Sequence, residues 1–258
     1  MRNNTQVHNN ARNYMSNVKN AASFSRLVDF CTGYGDTYNP GRPTLQIEAL
    51  ITQRQKVNST LANTIGAKSL YDNEVNQRKQ VFDQLPKLVS SILRTLEASG
   101  ASPEKLNDAR AFARQITGFK SKSRAPVSAT TAAAQSPDTP MAKPHSTLQL
   151  AYASKADAFA KLVNAISTEP LYFANETVLS KSGLNDKLNQ LTAHNQRVSE
   201  AHVSWSNIRI DRNQTMYDQS MSMYNMGRAV KKYVRAIFGL GSEQYAQIKS
   251  LSFTKPNH

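Results

Sequence analysis

The chain repeats itself at a spacing of about 134 residues, and that duplication restricts what its 258 residues can fold into. Phe24-Ser25-Arg26-Leu27-Val28 answers to Phe159-Ala160-Lys161-Leu162-Val163. Tyr38 answers to Tyr172, Leu45 to Leu179, Leu50 to Leu184 and Val57 to Leu191. Arg78-Lys79-Gln80 then matches Arg212-Asn213-Gln214, and Phe82-Asp83-Gln84 matches Tyr217-Asp218-Gln219 after one inserted residue. The ends align only if the second copy gains about six residues in its last long helix. A long-period repeat implies one supersecondary unit used twice, with each copy covering apolar surface that the other leaves open.

Within a copy the apolar residues recur three and four apart, the spacing of an amphipathic helix. Copy one opens with a helix carrying Met15, Val18, Ala22, Phe24, Leu27 and Val28, ended by Gly33-Tyr34-Gly35. A loop through Tyr38-Asn39-Pro40 follows. Two long helices are predicted next, one with the seam Ile47, Leu50, Ile51, Val57, Leu61 and Ile65, the other with Val75, Phe82, Leu85, Val89, Ile92 and Leu96. A turn is expected near Gly66. Pro86 is expected to kink the second helix or start a new one, because proline lacks the amide its position requires. Gly100 is a natural stop and Pro103 a natural first-turn residue for a short flanking helix. Copy two repeats the plan with Leu184, Leu188, Leu191 and Val198, then Met216, Met223, Val230, Val234 and Ile237.

The expected fold is therefore all-α: a pseudo-two-fold four-helix bundle made from two tandem helical hairpins, with short flanking helices. The expected boundaries are a flexible tail over 1–13, repeat one over 14–117, a linker over 118–146 and repeat two over 147–258. The linker carries Pro126, Pro137, Pro140 and Pro144 among small and polar residues, a composition that cannot offset its ordering entropy, so it is expected to be disordered.

Charge is the second constraint. The chain holds 32 Lys and Arg against 18 Asp and Glu, a net charge of +14. The excess is spread over both copies and the linker, so it forms a field and not a tail. There is one cysteine, Cys31, in an apolar run, so no intrachain disulfide exists and a buried thiol is expected. The N-terminus lacks a signal-peptide shape and no window approaches 18 apolar residues, which points to a cytoplasmic protein.

Several stretches resemble a family of uncharacterised bacterial proteins with no established activity. They are Asn207-Ile208-Arg209-Ile210-Asp211-Arg212-Asn213, Lys231 to Gly239, the ending Ser252-Phe253-Thr254-Lys255, Leu96 to Arg110 with its Ser99-Gly100-Ala101-Ser102, and the loop Pro170 to Leu179. In that loop the family usually has proline where Ala174 stands. The resemblance implies a tandem-duplicated all-α fold and implies no chemistry.

Motifs for catalysis are missing from the sequence. Of the five histidines (His8, His145, His194, His202 and His258), only His194 and His202 share a predicted helix, and eight residues is too long a spacing to chelate one ion. Surface or rim positions are expected for both. Asp211 and Asp218 have no partner for acid–base work, and helix-surface ion pairing with Arg209 and Arg212 is expected for Asp211. Gly239-Leu240-Gly241 is a helix-ending turn, not a phosphate cradle, and no nucleophile elbow is present. The chain is expected to be no enzyme and to hold no cofactor or metal.

Two features point to binding. Arg228, Lys231, Lys232 and Arg235 fall at i, i+3, i+4 and i+7, a basic stripe able to track phosphates or an acidic partner. The same cations sit near a helix C-terminus, where they offset the macrodipole. Trp205, placed near the expected turn of copy two, is either a partner anchor or a plug at the end of the bundle. Met216, Met221, Met223 and Met226 are expected to fill core gaps. The reading is a non-enzymatic helical binding or structural module, with an unknown protein as partner. Two alternatives stay open: nucleic-acid binding without sequence preference, and attachment to an anionic membrane surface.

Overall fold

The computed structural model describes residues 3–118, 144–218 and 220–255. The helices are α1 (Asn3–Gly33), α2 (Ile47–Asp83), α3 (Leu85–Ala98), α4 (Pro103–Thr117), α5 (Pro144–Ser167), α6 (Lys181–Asn213), α7 (Met223–Phe238) and α8 (Glu243–Lys249). No strand occurs among the described residues. Helix α1 begins inside the stretch expected to be a tail. Most of the expected linker lies outside the described residues.

The turn expected at Gly66 does not exist. Helix α2 runs unbroken through that residue for 37 residues. One glycine costs a helix interior about 1 kcal/mol relative to alanine, too little to stop a helix whose seam continues on both sides. The hairpin reading of each copy is therefore corrected: the break comes at Gln84, where Pro86 opens α3 in its first turn. In copy two the matching helix α6 ends at Asn213 and a five-residue π-helical turn, Gln214–Asp218, precedes α7. The extra residues of copy two thus fall within the stretch expected to be its last long helix, partly in this connection and partly in α7, which has 16 residues against 14 in α3.

Local chemistry sets the helix ends. Ser102, Ser222 and Ser242 cap α4, α7 and α8, their hydroxyls accepting from the amides of Lys105, Asn225 and Tyr245 at 3.4, 3.4 and 3.1 Å. Gly100 (φ +76°) and Gly239 (φ +92°) stop α3 and α7 in a backbone region open to glycine.

The chain divides into two units, residues 1–70 with 202–258 and residues 71–201. Both boundaries fall inside a long helix, α2 and α6. The buried side chains form two clusters, in place of the one four-helix core expected. The first unit joins Phe24, Leu27, Leu50 and Val57 of copy one to Met216, Val230, Val234 and Ile248 of copy two. The second joins Leu85, Ile92, Leu96 and Ile116 of copy one to Phe159, Leu162, Leu184 and Leu191 of copy two. Each core thus takes the start of one copy and the end of the other: α1 packs on α7 and α8, and α5 packs on α4. Positions matched by sequence keep matched burial. Phe24 and Phe159, Leu50 and Leu184, and Val57 and Leu191 are all essentially inaccessible.

One pair of matched positions solves the same packing problem twice. In the second unit Phe82 meets Tyr152 edge-on at 4.9 Å. In the first, Tyr217 donates to Asn17 Oδ1 at 2.6 Å and accepts from Asn20 Nδ2 at 2.9 Å. Asn20 also clamps the C-terminal segment, donating to the Thr254 carbonyl at 2.7 Å and accepting from its amide at 3.1 Å. The Phe253 ring lies against Gly227, where even a methyl group would approach it to 2.7 Å. Phe253 and Thr254 are thus part of the first unit's packing.

Candidate functional site

The second unit presents a pinned loop between α5 and α6. Glu169 Oε1 accepts from the Leu171 amide at 3.1 Å, and Lys181 Nζ donates to the carbonyls of Ser167 and Glu169 at 3.0 and 2.9 Å. The buried Tyr172 donates its hydroxyl to the Leu179 carbonyl at 2.8 Å, and burial raises its pKa. Ser180 Oγ accepts from the Gly183 amide at 3.0 Å and so caps α6. Gly183 meets the Thr177 carbonyl so closely that a Cβ there would collide with it. The loop is held at both ends and in the middle.

On this frame three large apolar side chains face outward: Leu171 is 56% exposed, Phe173 78% and Val178 66%. An isolated exposed leucine is ordinary, whereas several large apolar groups on one rigid loop are the hallmark of a contact surface. Copy one carries the control. Its loop has the same bond, Tyr38 hydroxyl to Leu45 carbonyl at 2.8 Å, and the same short 3-10 turn. Yet the positions matching Leu171, Phe173 and Val178 are Thr37, Asn39 and Thr44. The loop's geometry therefore forms without apolar side chains at these places.

Beside the loop lies an open groove of about 980 Å³ between α3, the 3-10 turn Thr177–Leu179 and the start of α6. Leu88, Val178 and Leu179 supply apolar surface, and Lys87, Asp186 and Lys187 supply charge. The half-buried Lys187 donates to the neutral Gln190 Oε1 at 3.0 Å, and burial lowers its pKa.

The basic stripe belongs to the first unit, and α7 divides it. Arg228, Lys232 and Arg235 are exposed. Arg228 donates to the Tyr224 hydroxyl at 3.1 Å and lies over its ring. Lys231 turns away and donates to the carbonyls of Lys249 and Leu251, both at 2.8 Å. It closes the C-terminal end of α8, where orphan carbonyls favour a cation. Four cations in line by sequence are thus three on the surface and one used inside the fold.

Trp205 lies within an unbroken stretch of α6, since the turn expected beside it is absent. It is half-buried and outside the buried clusters, so it plugs neither core. The Arg209 guanidinium lies 5.0 Å and the Lys68 ammonium 5.5 Å from its ring, with His202 edge-on at 6.1 Å. His194, expected at the surface, is buried, with Nδ1 lacking a hydrogen-bond partner. The helix turns it toward the seam that Leu191 and Val198 occupy. Asp211 is exposed. Asp218 pairs with Lys255 at 3.2 Å. Met216, Met223 and Met226 are buried, while Met221 is 53% exposed. Among the described residues no group of three or more His, Cys, Asp or Glu is placed to hold a metal ion, and no helix is long and apolar enough to cross a membrane.

No family model matches the chain, and no curated protein or solved structure matches it. The class that the fold defines is an all-α protein with two cores, each drawing on both halves of the chain. The loop and groove were missed by reading motifs. Their signal lies in the differences between the copies: Thr37 against Leu171, Asn39 against Phe173, Thr44 against Val178.

Proposed function

We propose that the chain is a duplicated helical unit that works as a non-enzymatic binding module, and that it takes a protein partner on the loop of its second copy. The observation that carries this is the exposed triad Leu171, Phe173 and Val178 on a loop whose polar counterpart in copy one keeps the same hydrogen bond. Side chains that the fold does not need, held rigidly and facing water, bind with little ordering cost. A protein fits this surface better than an anionic bilayer does, because the loop that carries the triad also carries the exposed carboxylate of Glu176.

The test is capture from nuclease-treated native lysate with the tagged chain, beside the Phe173→Asn variant, which places copy one's residue in copy two. A protein retained by the wild type and lost by the variant supports the reading. Equal retention by both, or wild-type binding to anionic vesicles with no captured protein, overturns it.

Nucleic acid is the second reading, favoured by the exposure of Arg228, Lys232 and Arg235 along one helix. Its test is the salt dependence of binding to a labelled duplex. Changing the three to Gln is expected to flatten the log–log slope by about 0.9 per lost phosphate contact. An unchanged slope leaves only the diffuse positive field.

A further inference from the structure

We propose that the groove between α3 and α6 receives an acidic amphipathic segment of the partner protein, with its carboxylates on Lys87 and Lys187 and its apolar side chains on Leu88, Val178 and Leu179. The proposal rests on the binding-module reading and names the partner's chemistry. Val178 ties the two surfaces together, since it belongs both to the exposed triad and to the groove wall.

The first argument is charge. Lys87 reaches the groove from α3 and Lys187 from α6. Neither forms an ion pair among the described residues. Asp186 is Lys187's immediate neighbour on α6, and adjacent helix residues do not face one another, so the groove's two cations outnumber its one carboxylate. Lys187 is half-buried and its ammonium donates to the neutral Gln190 Oε1, so a carboxylate would relieve a partly desolvated ammonium.

The second argument comes from the other unit, where the chain supplies a segment at the matching place. Gln53 there occupies the position of Lys187, and its Nε2 donates to the Thr215 carbonyl of the π-helical turn at 3.0 Å. The second unit has no such turn, because α2 ends at Asp83 and α3 begins at Leu85. In the first unit the donor on this helix face thus binds helical backbone, and in the second the same position carries a cation facing a groove. A peptide segment bearing acidic groups fits both facts, and helix-in-groove docking is a common mode for such a surface.

The experiment uses the full chain and two synthetic 15-residue peptides. One has Leu at i, i+3 and i+4 spacing with Glu elsewhere. The other replaces every Glu by Lys. Fluorescence anisotropy is expected to show binding of the acidic peptide only. Lys87→Gln with Lys187→Gln should weaken it about tenfold or more, the scale of losing two partly desolvated charge contacts. Arg228→Gln, Lys232→Gln and Arg235→Gln, in the other unit, should leave it unchanged, with circular dichroism confirming helix content in both variants. An equal loss in both variants would assign binding to the diffuse charge and overturn the proposal. So would a failure of the acidic peptide to bind, or binding of sodium oleate in its place. Phe173-dependent capture without peptide binding sinks only the groove proposal. Lysine-dependent peptide binding without Phe173-dependent capture sinks only the loop reading.

Discussion

Two substitutions at Gly66 decide whether α2 is one helix or two. Gly66 is exposed and does not use a positive φ. A Cβ built on it meets nothing within 4 Å. Alanine adds no clash there and removes the entropy cost of glycine, so Gly66→Ala is expected to stabilise the fold by about 0.5–1 kcal/mol. For a chain of this size that is a rise of about 2–4 °C in Tm per kcal/mol. Gly66→Pro removes a backbone hydrogen bond and sets the ring against the carbonyl four residues earlier, a cost of about 3 kcal/mol or more. The two variants should therefore move stability in opposite directions. The assay is thermal and urea unfolding followed by circular dichroism, with agreement between probes checked because two units need not unfold together. If alanine destabilises and proline is neutral, Gly66 lies in a turn and the continuous helix is refuted.

Tyr217→Phe should cost about 1–3 kcal/mol, because it leaves the buried Asn17 and Asn20 amides short of a partner; an unfolding midpoint equal to the wild type's would contradict the network. Lys231→Gln should destabilise the C-terminal end by about 1 kcal/mol through its two carbonyl bonds, whereas Lys232→Gln should not; equal melting curves for the two would count against the distinction. Burial pushes the Cys31 thiol up to about 12, so the native protein should react with a disulfide reagent only as it unfolds. The native state keeps this proton at pH values where an unfolded thiol, with a pKa near 8.5, has lost it. The associated stability is therefore present below about pH 8.5 and declines as pH rises toward 12. Rapid labelling of folded protein at pH 8 would overturn the assignment.

Much of the helical framework was legible because its signals are local. Ser102, Gly100 and Pro103 mark the α3–α4 boundary within a few residues of chain. The seams through Leu50 and Leu184 name buried positions directly. Gly66 misled because a glycine in a polar stretch reads as a stop, while inside a 37-residue helix its cost is shared among many hydrogen bonds. The pairing of α1 with α7 and of α5 with α4 was not legible, since periodicity says which face is apolar and not what covers it. Lys231 read as part of a stripe because its partners, the carbonyls of Lys249 and Leu251, lie one helix further along the chain. The loop was visible only as a difference between copies, and needed the shared Tyr38 and Tyr172 hydrogen bonds to become meaningful.

The central claim is that the outward apolar residues of the second loop serve binding and not folding. Its most direct test is calorimetric titration of the captured partner into the wild type and into a chain carrying Leu171→Thr, Phe173→Asn and Val178→Thr, with a melting curve for each. The account predicts an unchanged or higher Tm, since all three side chains are exposed, and a loss of affinity of at least about 100-fold, the scale of removing a small hot-spot cluster. Affinity within about twofold of the wild type, or a fall in Tm large enough to show that the three residues hold the loop together, would contradict it.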